Sequence, residues 1–188
     1  ALALYVVLEK YEGKNAEELF IKHGGHPHLD EANGIYCSTG SLGLGITVAV
    51  GRALANKNRK VHVLISDGES AEGSVWEAAM FASAKKLDNL IMIVDFNKWQ
   101  ATGRSEEILS INPLADKWTA FGWETMEIDG HSFVDLEKCV TTRKEGKPLA
   151  VIAHTIKGKG ISFMEDDNNW HYRTPNPDEL NAALKELI

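Results

Sequence analysis

The segment VHVLISDGESAEGSVWEAAMFASAKKLDNLIMIVDFNKW, residues 61–99, determines the fold class. It begins with the β-branched run VHVLI at 61–65 and ends near a second apolar run, NLIMIVD, at 89–95. Between these runs, helical spacing relates Val75, Ala78, Ala79 and Ala82. The segment therefore predicts one strand–helix–strand unit.

The rest of the chain continues this alternation. Apolar residues at helical spacing predict a helix at 43–57, and the first residues, ALALYVVLEKYEG, also read as a helix. Strands are predicted at 123–128 and 148–155, and further helices from Pro113 to about Phe121, at 133–144 and after Pro177, with Asn176 as its cap. Apolar strands that alternate with helices are typical of an α/β fold, in which a doubly wound parallel sheet carries helices on both faces.

Length and composition indicate one globular domain. The 188 residues, 44% of them hydrophobic, fit a single domain at 1–188. The net charge of −7 without a basic cluster disfavours nucleic acid, and no apolar run reaches the roughly 20 residues of a membrane span. Cys37 and Cys139 fit neither a disulfide framework nor a metal site, which favours the cytoplasm. The chain starts inside a helix without an N-cap residue, so we expect a segment upstream of Ala1.

Two polar residues follow the strands of the central segment. Asp67 comes after the first strand, and Asn97 comes after the second, 30 residues later. Ligands of parallel α/β sheets bind beyond the carboxyl ends of strands, where these side chains should meet. A carboxylate, an amide oxygen and a nearby backbone carbonyl form half of the octahedron that Mg²⁺ prefers, which phosphates and water complete. The helix that begins near Glu72 points its N-terminus to the same place and favours an anion.

This segment resembles the thiamine diphosphate signature, in which GDG precedes an asparagine by about 30 residues. Those places are occupied by Ser66-Asp67-Gly68 and Asn97. The short segments EG, WEAA and LDNLI are similar to those of the transketolase branch. Ser66 departs from the first glycine of the signature, a change that a strand-end turn tolerates unless φ must be positive. The resemblance implies that Asp67, Asn97 and the carbonyl of Trp99 bind Mg²⁺, or else Ca²⁺ or Mn²⁺.

Two further segments carry the resemblance along the chain. GHP at 25–27 and STGSLGLG at 38–45 are similar to the GHP and TTGPLGQG segments of transketolases. TIKGKG at 155–160 and WHY at 170–172 are similar to their TxKGKG and WH segments. The resemblance implies a set of residues that contact thiamine diphosphate, namely Gly40, Leu42, Gly68, Glu69, Asn97 and His171.

Three residues are expected to take part in catalysis. The resemblance implies that His26 faces the reacting carbons and that His171 reaches the thiazolium region, so both can stabilise an alkoxide or move protons. Glu72 has two interpretations: it complements the dipole of the helix that it opens, or it joins a proton relay between paired active sites. His23 and His28, on either side of His26, are predicted to be solvated loop residues.

The family needs two modules, and this chain resembles one of them. One module grips the diphosphate through the metal; the other holds the aminopyrimidine and supplies an activating glutamate. This chain ends at Ile188, soon after the first module. We therefore expect the N-terminal subunit of a split transketolase, which moves a two-carbon ketol unit from a ketose or ketose phosphate to an aldose, in a heterotetramer with a separate pyrimidine-module (transketolase C-terminal) subunit. The alternatives are the α component of a 2-oxo acid dehydrogenase and a non-catalytic subunit that retains the fold.

Overall fold

The computed structural model describes residues 1–141 and 145–187. Its helices are α1 Leu2–Glu12, α2 Ala16–His23, α3 Leu44–Ala55, α4 Gly73–Ala84, α5 Ser105–Leu109, α6 Leu114–Ala120, α7 Phe133–Thr141 and α8 Pro177–Glu186. Its strands are β1 Val61–Ser66, β2 Leu90–Phe96, β3 Trp99–Gln100, β4 Gly103–Arg104, β5 Glu124–Asp129 and β6 Leu149–His154. Within the two described ranges, no helix has the length and apolar character needed to cross a membrane.

Four strands form one parallel sheet in the order β1–β2–β6–β5. Successive residues of a strand point to opposite faces of a sheet, and β2 shows this clearly. Met92 and Val94 belong to a core that includes residues of α3, α4 and α6. Ile91 and Ile93 pack in a second core, with Cys139 of α7. Helices therefore cover both faces of the sheet, which confirms the predicted doubly wound α/β fold.

The predicted elements differ from the observed ones mainly at their ends. The helix predicted at 43–57 is α3, which ends at Ala55. The helix predicted at 133–144 is α7, and residues 142–144 lie outside the described ranges. The cap of α8 is confirmed: the Asn176 side chain accepts from the backbone N–H of Glu179, whose carboxylate accepts from the backbone N–H of Asn176.

Three features of the structure are not predicted by the sequence patterns. Helix α2 begins after Asn15, whose side chain accepts from the backbone N–H of Glu18 at 3.0 Å. It packs with α1 around a small separate core of Tyr5, Leu8, Leu19 and Ile35. The antiparallel hairpin β3–β4 and the five-residue helix α5 are too short for a periodic pattern. The hairpin follows the end of β2 closely and therefore lies next to the residues that leave that strand.

Candidate active site

The carboxyl ends of β1 and β2 form the centre of the site. The strands pair with Ser66 opposite Asp95, so the residues that follow them emerge at the same edge of the sheet. Asp67, the first residue after β1, is fully buried. Asn97, the first residue after β2, is half-buried. The structure thus brings these two candidate ligands to adjacent strand ends.

Backbone and side-chain donors hold the Asp67 carboxylate. Its Oδ1 accepts from the backbone N–H of Gly68 at 2.9 Å, and its Oδ2 accepts from the Ser105 hydroxyl at 2.7 Å. Burial raises the pKa of Asp67, and the charge of Asp95 adds to the rise, although these hydrogen bonds act in the opposite direction. A buried carboxylate is costly unless a positive charge neutralises it. The surroundings of Asp67 therefore favour the binding of a cation.

Residues 97–99 form a tight turn after β2. The backbone N–H of Trp99 donates to Asn97 Oδ1 at 2.9 Å, and Lys98 between them has a left-handed φ of 69°. The Asn97 amide oxygen retains a second lone pair for a metal. Asp95 is oriented by the Thr155 hydroxyl, which donates to its Oδ1, and by the Asn97 amide nitrogen, 3.5 Å from its Oδ2.

The available donors fit a hard divalent cation. Mg²⁺, Ca²⁺ and Mn²⁺ prefer oxygen ligands, and this edge offers the Asp67 carboxylate, the Asn97 amide oxygen and the backbone carbonyls of the turn. Across 1–141 and 145–187, no three or more His, Cys, Asp or Glu side chains form a group that could hold a metal. A cation here would therefore depend on amide and carbonyl oxygens as well as one carboxylate.

The turn after Asp67 is tied to a distant loop. Ser66 is not among the residues with positive φ, so serine fits where the family signature has glycine. Its hydroxyl oxygen accepts from the backbone N–H of Glu69 at 3.0 Å. Glu69 Oε1 in turn accepts from the backbone N–H of Gly43 at 2.8 Å. The Glu69 carboxylate thus holds the loop between α2 and α3, residues 24–43 and called here the glycine-rich loop, against the strand ends.

The glycine-rich loop brings His26 and Gly40 together. Gly40 has a φ of 108°, and a Cβ atom there would lie 2.7 Å from His26 Cδ2. Glycine is therefore required both by the backbone conformation and by the close approach of the imidazole. Leu42, two residues further on, is 54% exposed, so its side chain is accessible to a ligand or to another protein.

Gly43→Ala is expected to destabilise the chain by more than about 2 kcal/mol, because a left-handed backbone alone costs a non-glycine residue roughly 1–2 kcal/mol. Gly43 has a φ of 81°, and its Cβ would lie 2.2 Å from the Oγ of Ser74, which donates to the Gly43 carbonyl. Gly13→Ala is the matched control, since Gly13 has a φ of 67° and open space around its Cβ. Urea unfolding measures both free energies; equal losses would show that the contact with Ser74 has no effect.

An open cavity of about 540 Å³ lies at this edge of the sheet. Asp95 and Asn97 line it from the end of β2, and Thr155 and Lys157 line it from the segment after β6. His131 also lines the cavity, and its Nε2 accepts from the backbone N–H of Ile156 at 2.8 Å. The cavity therefore lies between Asn97, one of the candidate metal ligands, and the TIKGKG segment.

Two predicted catalytic residues are less constrained. His171 ends the 3-10 turn Asn168–His171, is exposed, and packs edge-on against Tyr172 with 4.8 Å between ring centroids. Glu72 is the exposed N-cap residue of α4, and its side chain makes no capping hydrogen bond. This position agrees with the helix-dipole interpretation and leaves the carboxylate accessible for the relay interpretation.

The sequence patterns miss several residues that shape the site. Asp95 carries a usable signal, since it lies two residues before Asn97 near the end of an apolar strand. Ser105 carries none, and although Thr155 begins the TIKGKG segment, nothing in that segment indicates a contact with Asp95, because the two hydroxyls come from 38 and 60 residues away. The prediction that His23 is a solvated residue is wrong: its side chain is 5% exposed and lies 3.1 Å from Asp30 Oδ2. The cause is helix α2, which places His23 on the inner side of its last turn.

The chain matches a known family over nearly its whole length. The family described as "Transketolase, thiamine diphosphate binding domain" matches residues 6–187. An apulose-4-phosphate transketolase subunit of Phocaeicola vulgatus is 39% identical over 98% of this chain and 70% of its own length. The 6-deoxy-6-sulfo-D-fructose transketolase subunit SqwG of Clostridium sp. is 43% identical over 86% of this chain and 61% of its own length.

A solved enzyme shares the fold. The transketolase of Campylobacter jejuni superposes with a TM-score of 0.76 at 27% identity, over 86% of this chain and 27% of that one. The chain thus spans 61–70% of the two related subunits and about a quarter of the longer enzyme.

Proposed function

The chain belongs to the transketolase family, and on this premise we propose that it is the diphosphate- and metal-binding subunit of a thiamine diphosphate-dependent transferase. The assembled enzyme would move a two-carbon ketol unit from a ketose or ketose phosphate to an aldose. The observation that carries this proposal is the placement of Asp67 and Asn97 at paired strand ends. The cavity beside Asn97, lined by the TIKGKG segment, supplies the space for a ligand.

The proposed ligand contacts are those that the resemblance to transketolases implies. We assign Asp67, Asn97 and the carbonyl of Trp99 to Mg²⁺, for which Ca²⁺ or Mn²⁺ can substitute. The bound cofactor supplies the chemistry that breaks and forms a carbon–carbon bond next to a carbonyl. The residues assigned to hold this cofactor are Gly40, Leu42, Gly68, Glu69, Asn97 and His171. Glu69 also fixes the loop that carries Gly40 and Leu42, since it accepts from the backbone N–H of Gly43.

The chain's own catalytic groups are proposed to be His26, His171 and Glu72. His26 has an exposed imidazole backed by Gly40, so it can meet a substrate without losing its orientation. A histidine in that position can donate a hydrogen bond to a developing oxyanion and move a proton. His171 is proposed to assist at the diphosphate end, and Glu72 is proposed for the relay between paired sites.

The proposed partner is a separate pyrimidine-module subunit, in a heterotetramer. Both related proteins are named as subunits. Helices α3 and α4 pack together and carry several exposed apolar side chains, namely Leu44, Val48, Met80 and Phe81. Exposed apolar side chains of this kind are available to pack against a partner chain. We further propose a cytoplasmic location, on the basis that the positions of Cys37 and Cys139 in the sequence fit no disulfide framework.

The proposed donor is a ketose with an anionic group at the end remote from the carbonyl. One related subunit is named for apulose 4-phosphate and the other for 6-deoxy-6-sulfo-D-fructose, which carry a phosphate and a sulfonate. Lys157 supports this class, because it brings a positive charge to the cavity.

Two alternatives from the sequence analysis have less support. The α component of a 2-oxo acid dehydrogenase is disfavoured, because the matching family and the related proteins are transketolases. A non-catalytic subunit is disfavoured by the presence of Asp67 and Asn97 at the ends of the paired strands β1 and β2 and by the close approach of His26 to Gly40.

Mixing this chain with a separately expressed pyrimidine-module subunit is expected to produce ketol transfer that neither chain has alone. The residues assigned in this chain would hold the metal and the diphosphate, whereas the reaction also depends on how the aminopyrimidine is oriented. The assay follows transfer from a ketose phosphate to an aldose with thiamine diphosphate and Mg²⁺ present.

Three outcomes separate the proposals. Robust transfer by the highly purified chain, with mass spectrometry excluding a copurified partner, would contradict the need for a second subunit. Decarboxylation of a 2-oxo acid by the mixture would identify the dehydrogenase alternative. A mixture that assembles but neither transfers a ketol unit nor binds the cofactor would identify a non-catalytic subunit.

A further inference from the structure

The hairpin β3–β4 is held from outside by one carboxylate. It has two residues in each strand, too few for a hairpin to be stable by itself. Asp166 accepts two hydrogen bonds from the Arg104 guanidinium, at 2.7 and 2.6 Å, and a third from Trp99 Nε1 at 2.8 Å. The guanidinium carbon also lies 3.7 Å from the centroid of the Trp99 ring. One aspartate thereby fixes both strands of the hairpin.

Asp166 belongs to the segment after β6, residues 155–171, whose first part lines the opposite side of the cavity. Its backbone N–H donates to the carbonyl of Lys157 at 2.9 Å, and its φ of 58° is uncommon for a residue other than glycine. A second bond joins the same segment to the hairpin, from Asn168 Nδ2 to the Ala101 carbonyl at 3.1 Å. Hydrogen bonds from Arg104 and then Trp99 lower the pKa of Asp166 to about 2, so its carboxylate is charged at neutral pH.

We propose that Arg104 and Asp166 are positioning residues, which hold the turn at 97–99 in the geometry that Mg²⁺ requires. The inference rests on the proposed function, which assigns the Asn97 amide oxygen and the Trp99 carbonyl to the metal. Trp99 connects Asp166 to the turn. Its backbone N–H donates to Asn97 Oδ1, and its indole N–H donates to Asp166. Neither Arg104 nor Asp166 needs to touch the metal or the substrate.

The proposed effect differs between two metals. Mg²⁺ demands a nearly ideal octahedron, whereas Ca²⁺ tolerates longer and more variable contacts. A turn that loses the hydrogen bonds of Asp166 can therefore still bind Ca²⁺ but binds Mg²⁺ poorly. The Arg104–Asp166 pair accordingly sets the preference for Mg²⁺ over Ca²⁺ as well as the affinity.

Asp166→Asn in the enzyme assembled with its partner subunit tests this inference. We expect the Mg²⁺ concentration that half-saturates thiamine diphosphate binding to rise about 10-fold, at the low end for a residue that orients a metal ligand. The corresponding Ca²⁺ concentration should rise less than about 3-fold. Arg104→Lys keeps the charge but loses the two-pronged contact, so it should change the ratio in the same direction by less. Calorimetric titrations with each metal measure both values.

Glu186→Gln is the matched control. Glu186 accepts from the backbone N–H and the hydroxyl of Ser162, at 2.6 and 2.9 Å. The variant therefore removes a carboxylate of α8 that is hydrogen-bonded to the same segment, without touching the hairpin, and it should keep both wild-type values. If Asp166→Asn does not fold, Arg104→Lys carries the test.

The outcomes distinguish the inference from the proposed function. Wild-type enzyme that binds the cofactor with Mg²⁺, together with variants whose Mg²⁺-to-Ca²⁺ ratio is unchanged, would overturn the positioning role alone. Equal losses for both metals with a lower melting temperature would also overturn it, because they indicate a purely structural role. Wild-type enzyme without metal-dependent cofactor binding would overturn the proposed function, and this inference with it.

Discussion

Asp67→Asn is expected to weaken metal-dependent cofactor binding by about 100- to 4000-fold and to stabilise the metal-free chain. A bound divalent cation would lose its only buried carboxylate ligand, and a buried charge that loses its partner costs roughly 3–5 kcal/mol. Asparagine preserves the shape, and the Ser105 hydroxyl that now donates to Oδ2 can accept from the new amide instead. Calorimetry of thiamine diphosphate binding with Mg²⁺ measures the loss. Unchanged cofactor affinity would remove Asp67 from the metal site.

The stability of the metal-free chain tests the same residue independently. Burial raises the pKa of Asp67. A folded-state pKa above the unfolded value means that this carboxyl favours folding below its unfolded pKa, and that the contribution is lost as the pH rises through the folded pKa. The wild-type chain in a chelator should therefore lose stability as the pH rises from the unfolded-state pKa of Asp67 to its folded-state pKa, whereas Asp67→Asn should not. Asp116→Asn is the control, since it removes an exposed carboxylate; urea unfolding at several pH values makes the comparison. Parallel pH profiles for wild type and Asp67→Asn would contradict this account.

His26→Ala is expected to lower kcat/KM of the assembled enzyme by roughly 10²–10⁴-fold, the usual range for a group that moves protons or stabilises charge. Cofactor affinity should change little, because His26 lies in the glycine-rich loop and packs on Gly40 rather than on Asp67 or Asn97. Steady-state ketol transfer and cofactor calorimetry separate the two effects.

His28→Ala is the control for the His26 experiment. It removes an exposed imidazole two residues further along the same loop, and it should leave turnover unchanged. Wild-type turnover in His26→Ala would show that His26 is only a loop residue. A loss of cofactor affinity equal to the loss of activity would place its role in binding instead.

Local patterns were sufficient for the sheet and for one edge of the site. Apolar runs and helical spacing predicted the four strands of the sheet. Residues that follow two consecutive parallel strands must emerge at the same edge, so the spacing of Asp67 and Asn97 already indicated that they meet. The resemblance to transketolases indicated the glycine-rich loop, although it did not indicate that Gly40 packs on His26.

Other features depend on segments that are distant in the sequence. Ser105 orients Asp67 from 38 residues away, Thr155 orients Asp95 from 60, and Asp166 grips Arg104 from 62. A side-chain hydrogen bond between separate segments has no periodicity and no fixed spacing, so no pattern in the sequence predicts it.

The sequence by itself determined the α/β fold, the strand ends and the two candidate ligands that these ends carry. Strand and helix periodicities are properties of neighbouring residues. Because the strands pair in parallel, their carboxyl ends then lie at the same edge of the sheet. Only the tertiary structure decided that Glu69 holds the Gly43 loop, that His23 is enclosed beside Asp30, and that the hairpin after Asn97 is anchored on Asp166. Those contacts form because the packed helices and sheet bring remote loops within hydrogen-bonding distance, which is a property of the whole chain.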